Sequence, residues 1–147
     1  MLSKLELVWK ERVGGGGKTA RRFLDIVVDG RPLLEAIGCP QSDFISRLGW
    51  GSAEAHKKSV EHLLLKAPPD SPSERVLLLI CPECGDLGCG AFTAKITKSG
   101  GEFVWSDFAF ENDYNGTPTE LFPGAGPFSF SKREYFSTLT AFDEKTG

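Results

Sequence analysis

Hydrophobic and polar positions alternate with period two in two stretches near the start of the chain. Leu5, Leu7 and Trp9 stand between Glu6, Val8, Lys10 and Arg12, and Leu24, Ile26 and Val28 alternate with Asp25 and Asp29. That period predicts two strands, and the β-branched content of the second agrees. The stretch "DGRPLLEAIG" (29–38) reads as a turn and a single helical turn that stops at Gly38. Residues 39–52 are interrupted by Pro40, Gly49 and Gly51 and read as irregular, with a short helix over Asp43 to Leu48.

The period then changes. Ser52 is a candidate N-cap for a helix from Ala53 to Lys66, with Val60, Leu63 and Leu64 on one face and His56 beside that stripe. A Pro/Ser loop, "APPDSPSE", separates it from the strand "RVLLLIC". "CGAFTAKITKS" and "EFVWSDFAFE" read as strands joined by a hairpin turn at Ser99-Gly100-Gly101. Residues 112–128 read as loop. Ser131 and Glu134 have the spacing of a capping box, and Tyr135, Phe136, Leu139 and Phe142 fall at helical spacing behind it. Tight hairpins favour antiparallel pairing. The order of elements therefore predicts one α+β domain over residues 1–147, an antiparallel sheet of about five strands with two main helices on one face.

With 147 residues, 40% hydrophobic and 25% charged, the chain has the balance of a globular domain. A formal charge of −3 gives no global attraction to nucleic acid or anionic lipid. The longest aliphatic run, Val76 to Ile80, is far too short to span a membrane, and charges interrupt the first residues where a signal peptide would need an apolar run. The cytoplasm, with reduced cysteines, is the expected location. Charge is uneven along the chain. Residues 1–22 hold Lys4, Lys10, Arg12, Lys18, Arg21 and Arg22, whereas residues 99–131 hold Glu102, Asp107, Glu111, Asp113 and Glu120 with no Lys or Arg. This pattern fits either solvated loops or a face of one sign.

"RVGGGGKTA" (12–20) ends like a phosphate-binding loop, but Arg12 stands where the leading glycine would be. Such a loop also needs a helix after it to receive the phosphate, and the residues after this one are strand-like. The glycines therefore read as a hairpin connection. Only His56 and His62 offer imidazoles, and neither a G-x-S-x-G elbow nor an H-E-x-x-H motif occurs. No coherent catalytic set emerges.

"ICPECGDLGCG" has a Cys-Pro-x-Cys-Gly knuckle shape, with Cys81, Cys84 and Cys89 close together. Zinc would need a fourth ligand, for which Cys39, His56 and His62 are the candidates. A thiol oxidoreductase would want its first thiol at a helix N-terminus, which the interleaved glycines disfavour. The plain alternative is small buried thiols that flank a turn, with Cys81 and Cys89 facing each other.

In "EFVWSDFAFENDY" (102–114), strand alternation places Val104, Phe108 and Phe110 on one face, and Phe103, Trp105, Asp107 and Glu111 on the other. The first face is a natural core. The second, continuing into Asp113 and Tyr114, reads as the best candidate interaction surface, with aromatic anchors and carboxylates that would steer a basic partner. Burial of Trp105 under a helix is the alternative.

"CPECGDLGCGAFTAKI", "VWSDFAFENDY" and "GPFSFSKREYF" together resemble a family of small uncharacterised bacterial proteins. The similarity covers roughly residues 76–142. It implies a single bacterial cytosolic domain and attaches no catalytic role to any residue. On the residues themselves, the leading expectation is a non-enzymatic protein-binding module. Its most concrete form is an immunity-type inhibitor that occludes a basic toxin domain through Trp105, Asp107, Glu111, Asp113 and Tyr114. A zinc-stabilised domain built on Cys81, Cys84 and Cys89 with Cys39, and a thiol oxidoreductase, are the alternatives.

Overall fold

The computed structural model describes residues 2–85, 87–112 and 115–141. The expected α+β, antiparallel architecture is present, but the strands divide between two sheets. The first sheet holds β1 (Leu5–Arg12), β2 (Arg21–Val28) and the short β3 (Arg31–Pro32) in that order. β1 and β2 pair along their whole length, from Leu5 opposite Val28 to Arg12 opposite Arg21. The glycine run closes this hairpin. Gly15 and Lys18 exchange backbone hydrogen bonds of 3.0 and 3.1 Å, and β2 rather than a helix comes next, so the loop has none of the architecture of a phosphate site.

A single turn of helix, α1 (Leu33–Ile37), ends at Gly38 in the left-handed conformation. No helix forms over residues 43–48. Instead Ile45 bridges Ile80, at the end of the second sheet. α2 (Ala53–Leu63) starts as its cap predicts, with Ser52 Oγ accepting the Ala55 N–H at 3.0 Å.

The second sheet holds β4 (Val76–Ile80), β5 (Ala91–Ser99) and β6 (Glu102–Glu111), each antiparallel to the next. The far edge of β6 is shared by two short strands from the stretch expected to be loop. β7 (Glu120–Leu121) pairs near its C-terminal end, and β8 (Phe128–Ser131) near its start. α3 (Lys132–Thr140) follows β8 directly. Its capping box does not form, because Ser131 makes no side-chain cap bond.

One core unites the two sheets. Leu5, Leu24, Ile26 and Val28 of the first pack in the same cluster as Val76, Leu78, Phe92, Ile96, Phe103 and Trp105 of the second, with Val60, Leu63, Tyr135 and Leu139 from α2 and α3. β4 is buried on both faces. Leu77 and Ile80 point the other way, into a small cluster with Leu87, Ala91 and Trp50 beneath the cysteine loop. Among the described residues no helix is long and apolar enough to cross a membrane.

Candidate functional site

The structure corrects the reading of the aromatic, acidic strand. Trp105 is fully buried, not outward-facing. Its Nε1 donates to Tyr135 Oη at 3.0 Å, and Tyr135 Oη donates on to the Leu63 carbonyl at 2.6 Å. One phenol thus satisfies an indole N–H and a carbonyl at the end of α2, where helix carbonyls lack intrahelical donors. Burial pushes the Tyr135 hydroxyl's pKa upward, which keeps it a donor.

The period-two extrapolation fails at a β-bulge. Lys95 pairs with Ser106 and Thr93 with Ala109, so Asp107 and Phe108 together oppose the single residue Ala94. Asp107 takes the extra position in the left-handed region, at φ +52°. Beyond it every side chain changes face. Phe108 therefore joins the core with Trp105, and Glu111 moves off the face that carries Phe103 and Trp105. Glu111 is also not an exposed acid. It is buried and accepts hydrogen bonds from Ser71 Oγ at 2.5 Å, Ser73 Oγ at 2.8 Å and Thr93 Oγ1 at 2.6 Å. Those bonds fasten the Pro/Ser loop to the sheet. Of the described members of that set only Asp107 is open to solvent, 4.0 Å from Lys95 Nζ. Asp113 and Tyr114 lie outside the described residues.

The N-terminal basic residues are largely engaged. The Arg12 guanidinium clasps Asp43 at 3.0 and 2.7 Å and reaches Glu83 at 2.8 Å. Arg21 and Arg22 lie over the rings of Trp50 and Trp9, and Lys10 pairs with Asp25 at 3.1 Å.

A different set of cations gathers at the opposite end of the molecule. A cleft of about 690 Å³ opens between the end of α2, the β5–β6 turn and the first turns of α3. Leu64, Leu65, Phe103 and Phe136 form its apolar surfaces, while Lys66, Lys98, Lys132 and Arg133 stand around it, and no acidic residue lines it among the described residues. None of the four cations has a carboxylate within ion-pair distance among the described residues. Lys66 Nζ lies 5.4 Å from the Phe136 ring centroid, and Lys98 Nζ lies 5.4 Å from that of Phe103.

Two local features shape this cleft. Phe136 is 46% exposed, although its spacing in α3 suggested a packed residue. Tyr135 and Leu139, four residues apart, define the buried face, and Phe136 is rotated by about 100° from Tyr135 onto the cleft. Leu65 is the second feature. α2 ends with Lys66 N–H donating to the Glu61 carbonyl at 2.8 Å and Leu65 N–H to the His62 carbonyl at 3.1 Å. That pattern puts a left-handed residue just past the helix, a position glycine usually fills. Here it is Leu65, at φ +61°, and its side chain becomes part of the cleft wall.

The cysteine loop lies at the other end of β5, separated along the strand by about 27 Å. Cys84 and Cys89 are disulfide-bonded, and Cys81 is free and half-buried. The bonded pair is not the Cys81–Cys89 juxtaposition that the spacing suggested, and the thiols are not all reduced. The sulfurs of Cys81, Cys84 and Cys89 lie within 4.8 Å of one another. Cys39 does not join them. It packs against the main core, where burial and the neighbouring Glu120 raise its thiol pKa. His56 and His62 are also elsewhere, buried on α2, with His62 Nδ1 2.8 Å from the Pro68 carbonyl. Among the described residues the loop's only helical element is a three-residue 3-10 turn, Leu87–Cys89, so no helix N-terminus faces the thiols.

No protein-family profile, curated protein or solved structure matches the chain.

The cleft could not be read along the chain. Its cations come from residues 66, 98 and 132–133, in three separate elements. The one local signal was the mismatch between Phe136 and the Tyr135/Leu139 face.

Proposed function

We propose that the protein is a binding module and that the cleft beside Phe136 receives a small organic anion. The ligand class is a carboxylate, sulfonate or phosphate carried on an apolar or aromatic body. The observation that carries this reading is the set of four cations around apolar walls with no acid among the described lining residues. Like charges brought together repel one another, and the cation–π contacts of Lys66 and Lys98 offset only part of that cost. A bound anion would recover it. The volume of about 690 Å³ lies within the usual range for small-molecule sites, and the mixture of apolar wall and few polar groups is the usual composition. Leu65, kept in a conformation that costs a side chain about 1 kcal/mol, supports the same reading, since backbone strain concentrates at ligand sites. The acidic-strand docking surface lacks comparable support, because two of its anchors, Trp105 and Glu111, are interior.

Anilinonaphthalene sulfonate and its uncharged counterpart phenylnaphthylamine test this directly. Both carry the same aromatic body, and both fluoresce when it is shielded from water. The sulfonate should bind the native protein at least about tenfold more tightly, a difference that added salt erodes. The double variant Lys98→Glu/Arg133→Glu should abolish the preference. Equal affinity for the two probes, or a preference untouched by the variant, overturns the reading. Sedimentation with phosphatidylglycerol vesicles, combined with no sulfonate binding, would also overturn it, in favour of a lipid surface.

A further inference from the structure

The loop between β4 and β5 gathers three cysteines at the end of the molecule away from the cleft. We infer that, once reduced, Cys81, Cys84 and Cys89 form a three-thiolate site for a soft d10 metal cation, with the fourth coordination position left to an exogenous ligand.

Three observations meet here. The first is convergence, with the three sulfurs within 4.8 Å of one another. Two thiolates at about 2.3 Å from a tetrahedral ion stand about 3.8 Å apart, so three sulfurs already this close need only small side-chain movements. The second is the backbone that aims them. The Gly85 N–H donates to the Cys81 carbonyl at 2.9 Å, and Gly85 takes φ +69°. This closes a tight turn that brings Cys84 back towards Cys81. Gly90, at φ +105°, receives the Phe110 ring so closely that a Cβ there would stand 2.7 Å from it. That position fixes where β5 begins after Cys89.

The third observation is how the loop is held from behind. Arg21 Nε donates to the Pro82 carbonyl at 3.0 Å. Glu83 accepts from the Thr19 N–H at 2.9 Å, from Thr19 Oγ1 at 2.7 Å and from Arg12 Nη1 at 2.8 Å. The two residues between Cys81 and Cys84 are therefore tied to the β1–β2 hairpin. Their anchors leave the thiols of Cys84 and Cys89 on the exposed side. A site held by its surroundings loses less entropy when it takes up a ligand. All-sulfur donation selects soft cations over magnesium or calcium. Among the described residues no histidine or fourth thiol joins the cluster, so the described chain supplies three sulfur ligands.

A phosphine reductant supplies two electrons to the Cys84–Cys89 disulfide and becomes the phosphine oxide, taking its oxygen from water, and two thiols result. The cation then displaces one proton from each of the three thiols and forms three metal–sulfur bonds.

Cadmium chloride, titrated without oxygen into the phosphine-reduced full chain, is the test. A sulfur-to-cadmium charge-transfer band should grow and saturate at one ion per chain. Cys81→Ser, Cys84→Ser and Cys89→Ser should each weaken binding at least about tenfold, and Cys39→Ser should leave it unchanged. Circular dichroism separates lost ligation from lost fold. A folded, reduced protein with no such band overturns the inference. So does a band that survives any of the three loop variants at full affinity, or one that depends equally on Cys39.

Discussion

At the turn end of the β5–β6 hairpin, four cations stand around apolar walls with no carboxylate to pair with among the described residues. At its other end, Glu111 lies buried beneath three hydroxyl groups. The same two strands thus handle charge in opposite ways. Glu111 is taken out of water only because Ser71, Ser73 and Thr93 replace the lost hydration, and its bonds serve to hold a loop. The cations keep their water, and their contacts within the fold are limited to Lys66 over the Phe136 ring and Lys98 over that of Phe103 among the described residues. A buried charge that is fully bonded is architecture. Solvated charges of one sign, drawn together from separate elements beside the exposed Phe136 ring, are what the proposed anion site rests on.

The contrast can be broken at several places. The largest effect belongs to the core, where α2 and α3 meet the second sheet. Trp105→Ala should cost about 3–5 kcal/mol in denaturant unfolding, because it removes a fully buried ring and the donor to the Tyr135 hydroxyl. Tyr135→Phe should cost about 1–3 kcal/mol, since the Trp105 N–H and the Leu63 carbonyl both lose their partner. An unfolding free energy unchanged by either variant would mean that the indole–phenol–carbonyl chain does not hold α2 and α3 to the sheet.

At the other end, Glu111→Ala should cost about 2–4 kcal/mol by stranding buried hydroxyls, and hydrogen exchange should rise first in the 70–75 loop. A neutral effect would place Glu111 among the solvated acids after all. Charge reversal in the cleft should do the reverse. Lys98→Glu or Arg133→Glu should shift stability by no more than about 0.5 kcal/mol while weakening sulfonate binding. Leu65→Gly sharpens the same point. Glycine accepts φ +61° without strain, which offsets part of the packing Leu65 makes against the core, so stability should change by no more than about 1 kcal/mol, whereas binding should fall as the wall is lost. A loss of more than about 2 kcal/mol would show that Leu65 serves the core it packs against rather than the cleft wall.

The smallest effect is local and depends on pH. Backbone and hydroxyl hydrogen bonds from Thr19, helped by Arg12, hold the Glu83 carboxyl down at about 2 from an ordinary 4.5. A depressed carboxyl contributes fully above its ordinary value, and that contribution is lost as pH falls through the folded value. Between pH 4.5 and 2 the tether from the glycine hairpin to the cysteine loop should therefore loosen. The Thr19 amide resonance should titrate in that window, and a resonance that does not move over it would remove the tether.

Much of the fold was legible in residue order because the controlling interactions are local. Alternation marked β1, β2 and the first half of β6, the Ser99-Gly100-Gly101 turn marked the end of β5, Ser52 marked the start of α2, and the strand after the glycine run ruled out a phosphate loop. Asp107 defeated the same logic. One added residue reverses every later side chain, and nothing in "VWSDFAF" announces it. β7 and β8 are too short to carry a period. They exist because β6 offers them an edge.

From the sequence alone came an α+β antiparallel domain, a hairpin in place of a nucleotide loop, and three cysteines close enough in the chain to converge. These are consequences of neighbours within a few residues of one another. Tertiary structure decided that Trp105 is interior, that Cys39 stands apart from the other thiols, and that Lys66, Lys98, Lys132 and Arg133 share one cleft. Burial and charge grouping depend on which distant segments pack together, and no periodicity along a single segment encodes that.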